Sequence, residues 1–122
     1  MKYHDMGWYS ESNLHINGGK KFDSGKDPEH LYSIPAHKRL MRVLRHGADK
    51  YGERNWEQGM EWSRVYAAIE RHLHAWQNGE DIDPDSGEPH LACAQAGLMF
   101  LNHYEEKKIG TDNRPHRINK HG

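Results

Sequence analysis

The sequence predicts an all-α protein: a small bundle of three main helices behind a long irregular N-terminal arm. Three observations predict it. Apolar residues recur with a helical period of about 3.6 in two segments, and a third runs without charge from Leu91 to Asn102. Residues that start or stop helices bound them: Ser33 and Pro35 before and Gly52 after the first, Gly79 after the second, Pro89 before the third. No segment alternates with the period of 2 that a half-buried strand requires.

Residues 1–34 carry NGGKKFDSGKDPEH and show neither period, so they read as an arm, either mobile or laid over the surface as a binding loop. The first helix is expected to begin near Pro35, with Ser33 as its cap and Leu40, Val43, Leu44, Ala48 and Tyr51 on its apolar face; Gly52 ends it. ERNWEQGMEW follows as a loop. The second helix is expected from about Ser63 to Asn78, because Trp62, Val65, Tyr66, Ile69, Leu73 and Trp76 fall on one stripe. The third should open near Pro89 and run to about Lys107. Its stretch LACAQAGLMFLN has no charge, as expected of a helix packed by several neighbours, and Ala92, Ala94, Ala96 and Gly97 allow a close approach. The expected organisation is one domain over 1–110 and a loose basic tail over 111–122.

At 122 residues the chain suits one domain. Only 34% of it is apolar and its mean hydropathy is -1.12, so three helices bury little alone and a homodimer or homotetramer is expected to complete the core. A net charge of -1 gives no global field for nucleic acid or a membrane surface. One cysteine, Cys93, excludes an internal disulfide and fits a reducing compartment. The opening MKYHDMGWYS has no apolar signal region, so the expected location is the cytoplasm.

Chemistry concentrates between the second and third helices. GEDIDPDSGEPH holds Glu80, Asp81, Asp83, Asp85 and Glu88, then His90. The spacing of Asp81, Asp83 and Asp85 resembles a calcium hand, but Ser86 stands where that loop needs Gly and Ala92 where it needs Glu. Crowded carboxylates repel unless cations compensate. Mg²⁺ or Mn²⁺ with a phosphate substrate would do so; an acidic solvated turn favouring the helix N-terminus is the equally weighted alternative. On the second helix Glu70 and His72 flank the apolar stripe, about 90° and about 70° to either side, with His74 beyond Glu70. Such positions face a crevice mouth, although bordering side chains more often simply snorkel. In the arm, Lys20, Lys21 and Lys26 surround Asp23 among glycines, a phosphate-friendly composition without P-loop spacing, and one more often that of a flexible linker. KYGERNWEQG places Lys50, Arg54 and Asn55 beside Trp56; Asn can read a base edge, while the Trp reads better as core.

Taken in order, GGKKFDSGK, GADKYGERNW and AAIERHLHAWQNGEDIDPDSGEPHLACA resemble a phage-borne family, the dATP/dGTP diphosphohydrolases, over about residues 18–104. Asp85 stands where that pattern has Glu, and Cys93 where it has His, so position 93 is not expected to be an obligatory ligand. The resemblance implies hydrolysis of purine deoxynucleoside triphosphates to monophosphate and pyrophosphate, in the cytoplasm of a bacterial host. The all-α MazG-like pyrophosphohydrolases are the structural comparison, but their Glu-x-x-Glu pattern is absent and their residues are not carried over. The reading is then of a metal-dependent enzyme. Glu80 and Asp83, with Glu70 or Asp85, hold Mg²⁺ or Mn²⁺. Lys20, Lys21, Lys26 and Arg71 cradle phosphates, and Lys50 and Asn55 meet the nucleotide. His72 helps activate water, and His90 is a ligand or proton donor. Two alternatives stay open. One is a mixed His/carboxylate centre of the His-Asp phosphohydrolase kind, using His72 and His90 and acting on a mono- or triphosphate. The other is a helical module that binds a nucleotide or protein without catalysis.

Overall fold

The computed structural model describes residues 25–115. The chain divides into two units, Met1–Tyr32 and Ser33–Gly122. The described part of the first holds one 3₁₀ turn, Glu29–Leu31, with no buried residue, and Lys26 is exposed. Lys20 and Lys21 lie outside the described residues.

The second unit is all-α, built from α1 (Ile34–Tyr51), α2 (Trp62–Gln77) and α3 (His90–Lys107). Among the described residues β-pairing is limited to two isolated bridges, Glu61 with Thr111 and Ile82 with Pro89. The start of α1 follows from its first residues. Ser33 accepts the N–H of Ala36 on its hydroxyl oxygen at 3.2 Å, and Pro35 fills a first-turn position whose missing N–H costs nothing. Gly52, at φ 98°, ends it. The loop after α1 contains a second 3₁₀ turn, Asn55–Gln58, that the irregular spacing did not reveal.

Helix α3 packs against both α1 and α2. Val65, Ile69, Ala94 and Tyr104 form the core cluster, with Trp56, Trp62, Leu73, Phe100, Leu101 and Ile109 packed around it. The small residues of α3 permit this approach: Ala92, Ala94, Ala96 and Gly97 are all buried, and a Cβ added at Gly97 would meet Ile69 Cγ1 at 2.5 Å. One face of α3 nevertheless stays open, since Leu91 and Leu98 are 42% and 51% exposed.

The tail differs from the expected loose segment at its start. Glu61, the cap residue of α2, makes no side-chain capping bond. The tail supplies one: Ser63 N–H donates to Asn113 Oδ1 at 3.0 Å, and Asn113 in turn donates to Glu61 Oε2. Trp62 donates its backbone N–H to Thr111 O and its indole N–H to Ile109 O, both at 3.0 Å. The passage is tight enough that a Cβ at Gly110, whose φ is 81°, would sit 2.4 Å from Met60 O. These bonds join residues about fifty positions apart, which is why no local pattern announced them.

Candidate active site

The turn between α2 and α3 is closed by its own backbone. Asp83 N–H donates to Glu88 O at 2.8 Å, Gly87 N–H to Asp83 O at 2.8 Å, and His90 N–H to Asp81 O at 2.9 Å. Asp83 is the hub: its carboxylate accepts from the N–H groups of Asp85 and Ser86, and from the Ser86 hydroxyl at 2.7 Å. Burial pushes the Asp83 carboxyl up, but the Ser86 hydroxyl, the two backbone donors and the nearby His72 outweigh it, and its pKa lies below the ordinary 3.8.

Three other acids of the turn and Glu70 take protein partners. Glu88 accepts from Arg42 Nε of α1 at 3.0 Å, and Asp85 lies 3.9 Å from Lys50 Nζ. Glu80 Oε1 meets His90 Nε2 at 2.7 Å. Glu70 pairs along α2 with His74 at 3.5 Å. Arg71 is exposed. Two cations of α1, Arg42 and Lys50, therefore attend part of the charge of the turn.

His90 is buried, 4% exposed, and its second nitrogen, Nδ1, lies 2.9 Å from Nδ1 of His72. A carboxylate can only accept, so His90 Nε2 donates to Glu80. The facing Nδ1 atoms share one proton, and the tautomer in which His72 donates it leaves His90 Nδ1 as the acceptor. His72 is left with a lone pair on Nε2. Burial lowers the pKa of His72 below the ordinary 6.5, opposed by Asp83 and assisted by His90 and Arg71, which favours this neutral state.

His72, Asp83, Ser86 and Cys93 line a cavity of about 830 Å³, within the range of about 300–1,000 Å³ typical of small-molecule sites. Lys50, Arg54, Asn55, Trp56 and Arg64 line the same cavity. Trp56 is largely core: Phe100 stacks on it at 4.9 Å, and the Tyr104 hydroxyl donates to its carbonyl. Glu70, Arg71, Glu80 and His90 are not lining residues.

Residues 16–114 match the family described as dATP/dGTP diphosphohydrolase, N-terminal. The chain belongs to this family. It is 40% identical over 83 residues to a protein of Salmonella phage PMBT28 named dATP/dGTP diphosphohydrolase, the aligned part being 68% of this chain and 28% of that protein. The chain thus spans little more than a quarter of that relative's length. No solved structure matches it.

In this family member the matched span contains His72, Glu80, Asp83, His90 and Cys93 together. Among the described residues, the one group of three potential metal-ligand atoms lying within 4.8 Å of one another comes from His72, Asp83 and Cys93. One imidazole, one thiol and one carboxylate that already accepts three hydrogen bonds do not suit Mg²⁺, which asks for oxygen ligands in a near-octahedral shell. Sequence reasoning had set Cys93 aside. The available signal was its spacing, one helical turn after His90 in a run with no charge. Ser86 and Arg42 were also missed, because their roles depend on the fold of the turn and on a neighbouring helix.

Proposed function

We propose that this chain binds purine deoxynucleoside triphosphates in the cavity and hydrolyses them to the monophosphate and pyrophosphate. The observation that carries the reading is the shared lining: lone-pair donors His72 and Asp83 border the same space as cations Lys50, Arg54 and Arg64. The name of the phage relative supports the substrate class.

In the reaction a water oxygen attacks the α-phosphorus. The bond from that phosphorus to the α,β-bridging oxygen breaks, and pyrophosphate leaves. Two demands fall on the protein. Charge on the leaving pyrophosphate must be met, and Lys50, Arg54 and Arg64 are suited to this. Each now sits in an exposed ion pair, with Asp85, Glu57 and Glu61 respectively, and such pairs are weak enough to exchange for phosphate oxygens. The attacking water must also find a lone pair, and Glu80 and His90 hold His72 so that its Nε2 offers one. Mg²⁺ or Mn²⁺ enters this reading as the counterion carried in by the triphosphate. Asn55 is placed to read a base edge. The reading also includes self-association, as a homodimer or homotetramer, and a location in the bacterial cytoplasm with its nucleotide pool. No helix among the described residues is long and apolar enough to cross a membrane.

The test is the full chain with each of the common ribo- and deoxynucleoside triphosphates, with Mg²⁺ and with Mn²⁺, read by product mass. dAMP and dGMP with pyrophosphate are expected, and Lys50→Ala should raise KM. Release of phosphate or triphosphate would move the assignment to His-Asp chemistry, which the closeness of His72 to Asp83 favours as second reading. Nucleotide binding with no turnover would leave a binding module.

A further inference from the structure

We infer that His72 Nε2, Asp83 and Cys93 Sγ form a binding site for one zinc-class divalent ion, with His90 and Glu80 as the outer partners that orient it. The inference rests on the proposed function and deepens it: the ion would sit in the wall of the same cavity, take up the His72 Nε2 lone pair, and itself be the group that activates the water.

Three elements converge to make the site: α2 brings His72, the turn brings Asp83, and α3 brings Cys93. One ligand atom from each of the three, an imidazole nitrogen, a carboxylate oxygen and Sγ, lies within 4.8 Å of the other two. The donor set is borderline to soft, which selects Zn²⁺ or Co²⁺ over Mg²⁺ and Ca²⁺. Three protein ligands beside an open cavity are also the arrangement of hydrolytic zinc sites, which keep one position for water or substrate.

The strongest support is what stands behind His72. A metal-ligating histidine characteristically donates its other ring N–H to an acceptor that fixes its tautomer. Here that acceptor is buried His90, itself fixed by Glu80, with links of 2.9 Å and 2.7 Å. The relay leaves only Nε2 of His72 for an ion. Asp83 is fixed likewise by Ser86, whose hydroxyl lies 3.7 Å from Cys93 Sγ. Thiolate is the ligand form of cysteine, so binding releases the S–H proton to solvent.

The test uses the full chain, stripped with chelator and titrated without nucleotide. Calorimetry with Zn²⁺ should give one ion per chain and proton release that tracks the ionisation enthalpy of the buffer. Co²⁺ should give a near-ultraviolet sulfur-to-cobalt charge-transfer band. Cys93→Ser should abolish that band, Cys93→His should keep ion binding without it, and Glu80→Gln should weaken affinity by about 10–100-fold. Helical circular dichroism identifies variants that have lost the fold. Absence of the band in the wild-type chain, or unchanged affinity in folded His72→Ala, overturns the site. Nucleotide turnover is read separately. A chain that binds the ion and hydrolyses nothing overturns the hydrolase reading alone; a hydrolase without the band overturns only the metal site.

Discussion

Tyr104 shows how much one residue carries here. It is fully buried at the middle of the core cluster, and its hydroxyl donates to the carbonyl of Trp56, tying α3 to the loop after α1. Burial alone raises its pKa above the ordinary 10.0. In the window between 10.0 and the raised folded value the unfolded chain has lost its proton and the folded chain has not. Its contribution is therefore complete below pH 10.0 and lost as pH rises through the folded value. Lys50 and exposed Tyr66 are raised as well, so the wild type alone does not isolate this term. Tyr104→Phe does. It should cost about 0.5–1.5 kcal/mol at neutral pH, more if the Trp56 carbonyl stays dry, and should flatten part of the alkaline loss. Urea melts of both proteins on either side of pH 10 check this, and parallel curves would remove Tyr104 as the cause. The same scale limits what the sequence discloses. Asp83, Glu80, His72 and His90 stand out by type and spacing. That His90 faces another histidine on one nitrogen and Glu80 on the other is a property of the folded turn. Crowded acids look as if they await a cation, when Arg42 and Lys50 on α1 already attend two of them.

At the scale of elements, the helices were legible because each stripe and its stops are local. Ser33, Gly52 and Gly79 mark boundaries that the structure places within about two residues of those expected. The long-range cap that Asn113 makes on α2 is not local, and no propensity encodes it. The uncharged run of α3 was read as central, and its contacts with α1 and α2 agree, but the run does not say which face stays uncovered. The approach of α3 to α2 is set by Gly97. Its φ is ordinary, so glycine is needed there for space alone, with Ile69 Cγ1 and Cδ1 at 2.5 and 3.1 Å from a built Cβ. Gly97→Ala should therefore destabilise by about 1–3 kcal/mol despite the better helix propensity of Ala. Cutting back Ile69 should relieve the clash, so Gly97→Ala with Ile69→Ala should cost less than the sum of the two single changes. Strict additivity in the double-mutant cycle would mean that the two helices move apart freely and that the contact sets nothing.

At the scale of the whole molecule, the described residues bury few large side chains while several large apolar ones remain in contact with water. Leu91 and Leu98 are seven residues apart and share a face of α3; Ile34 and Met41, 59% and 39% exposed, repeat the same spacing on α1. Residues seven apart on a helix meet a partner helix as one seam. Leu98 is about half exposed already, so shielding it in a second copy would return roughly 0.8–1.5 kcal/mol per side chain, and symmetry applies each gain twice. Sedimentation equilibrium should accordingly find two or four times the 14.2 kDa of one chain. Leu98→Glu places a charge in the seam and should shift the mass toward the monomer without loss of helical signal, because an exposed position contributes little to the fold of a single chain. Met41→Glu, made separately, shows whether α1 joins the same contact. A wild-type chain that sediments as a monomer at concentrations well above micromolar would sink the seam, and Leu91 and Leu98 would then be ordinary exposed leucines of the kind that monomers carry singly.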